Sequence, residues 1–162
     1  MKQITCDIGE LFADKYKDVT ASLGGITLEE VTPFEISDEC ISGRVQTKEN
    51  APYGLMVICT MSVELAEQIV DGMSHGKVRS HEDVMLYIRE YINIASGSAV
   101  SVLNNYVGKS VRFLVPEVQG GQMELVKTDQ YESYTDAFLK SEYGEMILRV
   151  AHAMNCCLEM AE

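Results

Sequence analysis

The residues best suited to chemistry in this chain are a carboxylate and a carboxamide, Glu90 and Asn93, in the segment Glu90-Tyr91-Ile92-Asn93. If this segment is helical, each residue advances about 100° around the axis, so side chains three positions apart lie on the same face. The amide of Asn93 offers both a hydrogen-bond donor and an acceptor. The carboxylate of Glu90 offers a charge-assisted contact to a cation. The pair can therefore act together on one target held against the helix.

Three neighbouring residues on the outer side of this helix favour a docking surface. Gly97, one turn beyond Asn93, removes a side chain where the backbone of a partner could come close. A glycine inside a helix costs about 1 kcal/mol relative to alanine, so it calls for a packing or functional reason. Leu86 and Ile94 place aliphatic side chains beside the polar pair. The other interpretation is an ordinary solvated surface with a tolerated glycine, and periodicity alone favours it.

A long helix is predicted to position these residues. It begins at Ser80, because Ser80-His81-Glu82-Asp83 has the form of a capping box, and it ends at Gly108. Apolar residues at helical spacing form its predicted buried face: Met85, Ile88, Ile92, Ala95, Ala99 and Val102. Glu90 and Asn93 fall on the opposite, exposed side.

The remaining patterns predict a single domain over residues 1–162. Helical spacing predicts two more helices, over residues 5–23 and 62–73. Strands are predicted over 26–34, 40–47, 55–61, 111–118, 122–128, 131–140 and 145–152. The segment 55–61 is almost entirely apolar and is therefore expected in the centre of the sheet. Because the late strands follow one another with short turns, we expect an α+β fold with an antiparallel sheet and helices packed on one side.

Charge and composition exclude several classes of partner. The 162 residues include 13 basic and 25 acidic side chains, for a formal charge of -12. This charge argues against binding to nucleic acid or to an anionic membrane, because both would repel it. The apolar runs are too short to cross a bilayer, and the N-terminal segment lacks a signal-peptide pattern. Five cysteines without a C-x-x-C motif favour reduced thiols, so a cytoplasmic location is expected.

The sequence lacks the motifs of several enzyme classes. It has no glycine-rich phosphate loop, no H-E-x-x-H zinc motif and no G-x-S-x-G nucleophile motif. The stretch Ala95-Ser96-Gly97-Ser98 superficially suggests a nucleophile turn, but small residues for helix packing are the favoured interpretation. An unrelated redox or small-molecule protein that uses Cys156 and Cys157 is the alternative from a different functional class.

Five further residues follow the polar pair and belong to the same sequence pattern: Gly97, Ala99, Leu103, Gly108 and Pro116. Together with Glu90 and Asn93, this pattern resembles the CheX/CheC/FliY chemotaxis phosphatases. In that family a helix carrying E-x-x-N runs into a strand that ends near a proline, and Pro116 lies where that proline would fall. The resemblance covers most of the chain.

The resemblance is closer to CheX than to CheC. CheC-like proteins carry two E-x-x-N helices, whereas the first predicted helix here reads Glu10-Leu11-Phe12-Ala13 and lacks the asparagine. One site per chain is therefore expected. The resemblance also implies that the α+β fold is CheC/CheX-like.

The resemblance implies dephosphorylation of the phospho-aspartate of a CheY-like response regulator. Asn93 would position a water molecule in line with the breaking bond, and Glu90 would anchor the regulator through its active-site lysine. The partner-binding residues would be Leu86, Ile94 and Gly97. No cofactor of its own is implied, because the regulator would bring the Mg²⁺ that phosphoryl transfer requires.

Two alternatives within the same fold stay open. The chain could be a non-catalytic adaptor that binds a response regulator or a flagellar switch component, since fold alone does not decide function. Members of the family often pair two subunits, so a homodimer joined at a sheet edge is an expectation from the resemblance.

Overall fold

The structure is a computed structural model that describes residues 7–48, 50–77, 80–123, 131 and 133–153. Within these ranges the chain forms three helices and six strands. In chain order they are α1 (Ile8–Gly24), β1 (Glu29–Glu30), β2 (Cys40–Gln46), β3 (Gly54–Ser62), α2 (Val63–Ser74), α3 (His81–Val107), β4 (Glu117–Gly120), β5 (Ser133–Lys140) and β6 (Glu145–Ala153). The three predicted helices, including the long one between Ser80 and Gly108, are confirmed.

The strands form one antiparallel sheet in the order β1-β5-β6-β3-β2-β4. The apolar strand β3 lies inside the sheet, where it pairs with β6 on one side and β2 on the other. Its position confirms the expected central strand, since a strand buried on both faces needs apolar residues at nearly every position.

All three helices cover the same face of the sheet. Alternate residues of β3 (Leu55, Val57, Cys59 and Met61) point into the core that the helices share, as expected for the period of two in a strand. Met56 and Ile58 point to the other face, where they form a small apolar cluster with Ala151. The predicted α+β fold with helices on one side is confirmed.

Two predicted strands are much shorter or displaced. The strand expected over 26–34 is reduced to Glu29–Glu30, after which the chain crosses to β2 and places the Phe34 ring edge-on to Phe138, with ring centroids 5.4 Å apart. The strand expected over 111–118 begins only at Glu117. Pro116 has no backbone N–H and cannot donate to a ladder, so regular pairing starts after it. Most of the strand predicted over 122–128 lies outside the described residues.

The helix α3 lies against β2 because Gly43 leaves room for it. A Cβ atom at Gly43 would lie 2.1 Å from Cδ1 of Ile92, which is fully buried. Any side chain at this position would therefore push Ile92, and the helix turn that carries Glu90 and Asn93, away from the sheet.

Candidate functional site

Both ends of α3 are capped as the sequence predicted. The Ser80 side chain accepts a hydrogen bond from the backbone N–H of Asp83 at 3.2 Å, which satisfies one of the free donors of the first turn. At the other end, Gly108 takes the left-handed conformation (φ 75°) and donates its N–H to the carbonyl of Asn104 at 2.8 Å. The middle turns of this 27-residue helix therefore lie well away from either capped end.

Glu90 and Asn93 lie on the exposed surface of the middle of α3, and the two residues between them, Tyr91 and Ile92, are fully buried. This alternation follows from the helical period: residues 90 and 93 share a face, whereas 91 and 92 turn about 100° and 200° from residue 90, toward the core. The structure thus brings the predicted polar pair together and points it outward.

Two buried hydrogen bonds hold this part of α3 on α1. The hydroxyl oxygens of Tyr91 and Thr20 are 2.6 Å apart, and those of Tyr16 and Ser96 are also 2.6 Å apart. The rings of Tyr16 and Tyr91 meet edge to face with centroids 5.7 Å apart. Ser96 is therefore a buried structural residue, which supports the helix-packing interpretation over a nucleophile.

A shallow cleft of about 180 Å³ opens beside the polar pair. One wall consists of Arg89, Glu90 and Asn93 on α3. The opposite wall consists of residues of the chain that returns from α3 toward β4: Phe113, Leu114, Val115 and Pro116. We name this space the 90/93 cleft. It places an amide and a carboxylate beside an apolar wall that is open to solvent.

The return segment 109–116 reaches Glu90 and Asn93 because its extended length is close to that of the helix from Asn93 to Val107. From Asn93 to Val107 the helix is about 21 Å long at ~1.5 Å per residue. An extended chain from Gly108 to Val115 spans about 23 Å at ~3.3 Å per residue. Asn104 fixes the start of this return, because its side chain donates to the carbonyl of Val111 and accepts from the N–H of Val111, both at 3.1 Å.

The three predicted partner-binding residues share the exposed side of α3 with the polar pair. By helical geometry, Leu86, Ile94, Gly97 and the pair fall within an arc of about 100°. The side chains of Leu86 and Ile94 are 56% and 37% exposed. A Cβ atom at Gly97 would meet no described residue within 4 Å, so close packing against this part of the chain is not the reason for that glycine.

Comparisons with known proteins agree on the fold. No protein-family model matches this sequence, and no curated protein matches it. The structure is similar to the chemotaxis protein CheX from Vibrio vulnificus, with a TM-score of 0.76 at 18% identity, over 94% of this chain and 100% of that one. It is also similar to a CheC-like superfamily protein from Shewanella sp. PV-4, with a TM-score of 0.75 at 19% identity, over 93% of this chain and 99% of that one.

A third similar structure is a CheX-CheY-BeF3-Mg²⁺ complex from Borrelia burgdorferi, with a TM-score of 0.71 at 16% identity, over 91% of this chain and 99% of that one. The chain has the CheX fold. The resemblance drawn from the E-x-x-N pattern is therefore confirmed at the level of the fold.

Within this CheX fold, the 90/93 cleft has four lining residues that are not among those predicted from the sequence: Arg89, Phe113, Leu114 and Val115. Arg89 is adjacent to Glu90, and a pattern that pairs residues three or four apart does not point to it. Leu114 and Val115, 41% and 75% exposed, were assigned to a strand. Their run of aliphatic residues immediately before Pro116 is a signal that could have identified them, since a proline often marks the end of regular pairing.

The predicted buried face of α3 needs a small correction. Met85 and Val102 are only partly buried, whereas Tyr91, Ser96 and Leu103 are fully buried. The core of this CheX fold therefore wraps further around α3 than its apolar residues alone indicate, because α1 supplies hydroxyl partners for Tyr91 and Ser96.

Other kinds of site find little support in the described residues. No group of three or more His, Cys, Asp and Glu side chains in them could hold a metal ion. None of their helices has the length and apolarity that crossing a membrane requires. Cys59 is buried without a disulfide, and burial raises the pKa of its thiol, so it is unreactive. Cys156 and Cys157 lie outside the described residues.

Proposed function

We propose that this protein removes the phosphoryl group from the active-site aspartate of a CheY-like response regulator. The observation that carries the proposal is the exposed pair Glu90 and Asn93, side by side in the middle of the capped helix of a CheX fold. The similar Borrelia burgdorferi structure is a complex of CheX with CheY, BeF3 and Mg²⁺. BeF3 stands in for the phosphoryl group of a phosphorylated aspartate, so that complex supports the same class of partner here.

Asn93 is the catalytic residue of this proposal. Its amide donates one hydrogen bond to and accepts another from a single water molecule, which holds that water in line with the bond from phosphorus to the aspartate oxygen. The water oxygen forms the new bond to phosphorus, the aspartate leaves as a free carboxylate, and the water proton passes to the released phosphate or to solvent. An acyl phosphate is already reactive, so the enzyme contributes geometry and no covalent nucleophile.

Glu90 binds the regulator. Its exposed carboxylate lies one turn from Asn93, where it forms a charge-assisted contact with the active-site lysine of the regulator. This contact fixes the distance between the amide of Asn93 and the phosphorylated aspartate. The Mg²⁺ that neutralises charge on the phosphoryl oxygens comes with the regulator.

The apolar residues around the 90/93 cleft offer the regulator a surface that excludes water from the polar pair. Leu86 and Ile94 lie along the exposed side of α3, and Leu114 and Val115 lie across the cleft. Exposed aliphatic side chains beside a few polar groups are typical of a protein interface. Gly97 lets the partner approach the helix backbone at this point.

The cellular setting belongs to the same proposal. We place the reaction in the cytoplasm. A homodimer stays a prediction, and the strands β1 and β4, which lie at the two ends of the sheet order, are the edges that such a dimer could use.

The decisive experiment measures the decay of phosphorylated response regulators from the same genome. With wild-type protein we expect faster decay than with the regulator alone, and Asn93→Ala should lose most of that acceleration while folding normally, because the side chain is exposed. Asn105→Ala changes another exposed asparagine of α3 and serves as the matched control.

Equal acceleration by wild type and Asn93→Ala would overturn the role of Asn93. If the wild-type protein binds a regulator without accelerating decay, the adaptor alternative is correct and the chain is not a phosphatase.

A further inference from the structure

Arg89 places a positive charge at the 90/93 cleft. It is exposed and lines the cleft together with Glu90 and Asn93. Arg89 and Asn93 are four residues apart on α3, so their Cβ atoms lie about 5–6 Å from each other on one helix face. The long guanidinium side chain can therefore reach an anion that the amide of Asn93 also faces.

Within the described residues, no ion pair uses this charge. Among the arginines in the described part of the chain, Arg44 pairs with Glu117 at 2.6 Å and Arg149 pairs with Asp136 at 2.7 Å. Arg89 has no such pair within the described ranges.

The sequence around Arg89 explains why. Its helical neighbours three and four positions away carry no acidic side chain: Met85, Leu86, Ile92 and Asn93. Glu90 is adjacent in sequence, but residues one apart on a helix do not face each other. Neither its own helix nor the rest of the described chain therefore supplies an acidic partner for the guanidinium.

The placement of this charge matters because the chain as a whole is acidic. With a formal charge of -12, the protein repels an approaching phosphoryl group. A local cation beside Asn93 opposes that repulsion where the phosphoryl group arrives. Arginine suits this task because its planar fork of N–H donors matches the geometry of phosphoryl oxygens.

We propose that Arg89 binds a phosphoryl oxygen of the response regulator and makes binding selective for the phosphorylated form. This inference rests on the proposed function and adds a residue to it. Glu90 contacts a lysine that is present in both forms of the regulator, so it cannot distinguish them. Arg89 contacts the one group that phosphorylation adds.

The test compares affinities for two forms of one regulator, with Mg²⁺ alone and with Mg²⁺ and BeF3. Calorimetric titrations would use wild type, Arg89→Gln and Arg112→Gln. Arg112 is the matched control, because it is exposed, has no ion pair among the described residues and lies outside the 90/93 cleft. We expect wild type and Arg112→Gln to prefer the BeF3 form.

Arg89→Gln should bind the BeF3 form roughly tenfold more weakly, as expected for the loss of a hydrogen bond to a charged group, and should bind the unmodified form unchanged. Equal losses for both forms, or no loss for either, would overturn the role of Arg89 and leave the proposed function intact. If the wild-type protein binds neither form, the proposed function fails, and the inference fails with it.

Discussion

Thr20 of α1 and Tyr91 of α3 share a buried hydrogen bond, with 2.6 Å between their hydroxyl oxygens. Thr20 in turn donates to the backbone carbonyl of Tyr16 at 2.5 Å. Because Tyr91 lies directly between Glu90 and Ile92, this bond sets the rotation of α3 about its own axis at the exposed pair. A buried hydroxyl without a partner is costly, so the rotation is strongly specified.

Thr20→Val should lower the free energy of unfolding by about 1–3 kcal/mol, because it leaves the Tyr91 hydroxyl without its partner in the core. Urea denaturation followed by circular dichroism would measure the loss. Thr32→Val makes the same replacement at an exposed position and should change stability by less than about 0.5 kcal/mol. Similar losses for the two variants would show that the buried bond contributes nothing.

Glu90→Gln should weaken binding to both forms of a regulator by roughly tenfold, because it removes the negative charge that pairs with the partner's lysine. The salt dependence of affinity should also become less steep. Titrations at two ionic strengths would measure both effects. Glu67→Gln, at an exposed position of α2, removes the same charge elsewhere. Unchanged affinity of Glu90→Gln would contradict its anchoring role.

Gly97→Leu should shift stability and binding in opposite directions. The structure leaves open space at this position, and leucine is a far better helix former than glycine, so the free energy of unfolding should rise by about 0.5–1 kcal/mol. Affinity for the regulator should fall, because the new side chain holds the partner away from the helix. Thermal melts and titrations together test this, and tighter or unchanged binding would remove Gly97 from the interface.

Stability should decline in alkaline solution through Tyr16 and Tyr91. Burial raises the pKa of both hydroxyls well above the ordinary value of 10.0. Above pH 10 the unfolded chain therefore releases protons that the folded chain keeps, so the free energy of unfolding falls as pH rises. Below pH 10 both states keep these protons, and the stability that the two hydroxyls contribute is fully present. Each group contributes a slope of about 1.4 kcal/mol per pH unit.

Tyr16→Phe removes one of these groups and should reduce the slope above pH 10 by that amount. Urea titrations at several pH values would measure it, with Tyr106→Phe, an exposed tyrosine of α3, as the control. Identical slopes for wild type and Tyr16→Phe would exclude the assignment to Tyr16.

Much of the site was predictable because its determinants are local. The capping box at Ser80 and the glycine at Gly108 fix the ends of α3 through contacts within a few residues. The period of 3.6 residues then places Glu90 and Asn93 on one exposed side and Ile92 in the core. The likeness of the E-x-x-N pattern to a known family added the expected fold, which the similarity of the structures confirms.

The opposite wall of the cleft depended on contacts between distant parts of the chain. The run 111–118 is apolar and fits a strand by its pattern, yet among the described residues it forms a single isolated bridge, between Thr47 and Phe113, before β4 begins. The side-chain contacts of Asn104 and the length of α3 bring this run beside Asn93 instead. Period alone does not distinguish a paired strand from an extended segment that packs along a helix.

The sequence by itself determined the capped helix, its exposed amide and carboxylate and the type of fold, because helical period and capping act over a few neighbouring residues. Only the tertiary structure decided that Leu114 and Val115 face the pair across a cleft, that no distant acidic residue of the described chain pairs with Arg89, and that Tyr91 and Ser96 are hydrogen-bonded to α1. Those outcomes depend on which distant surfaces meet, and that is set by the packing of the whole core.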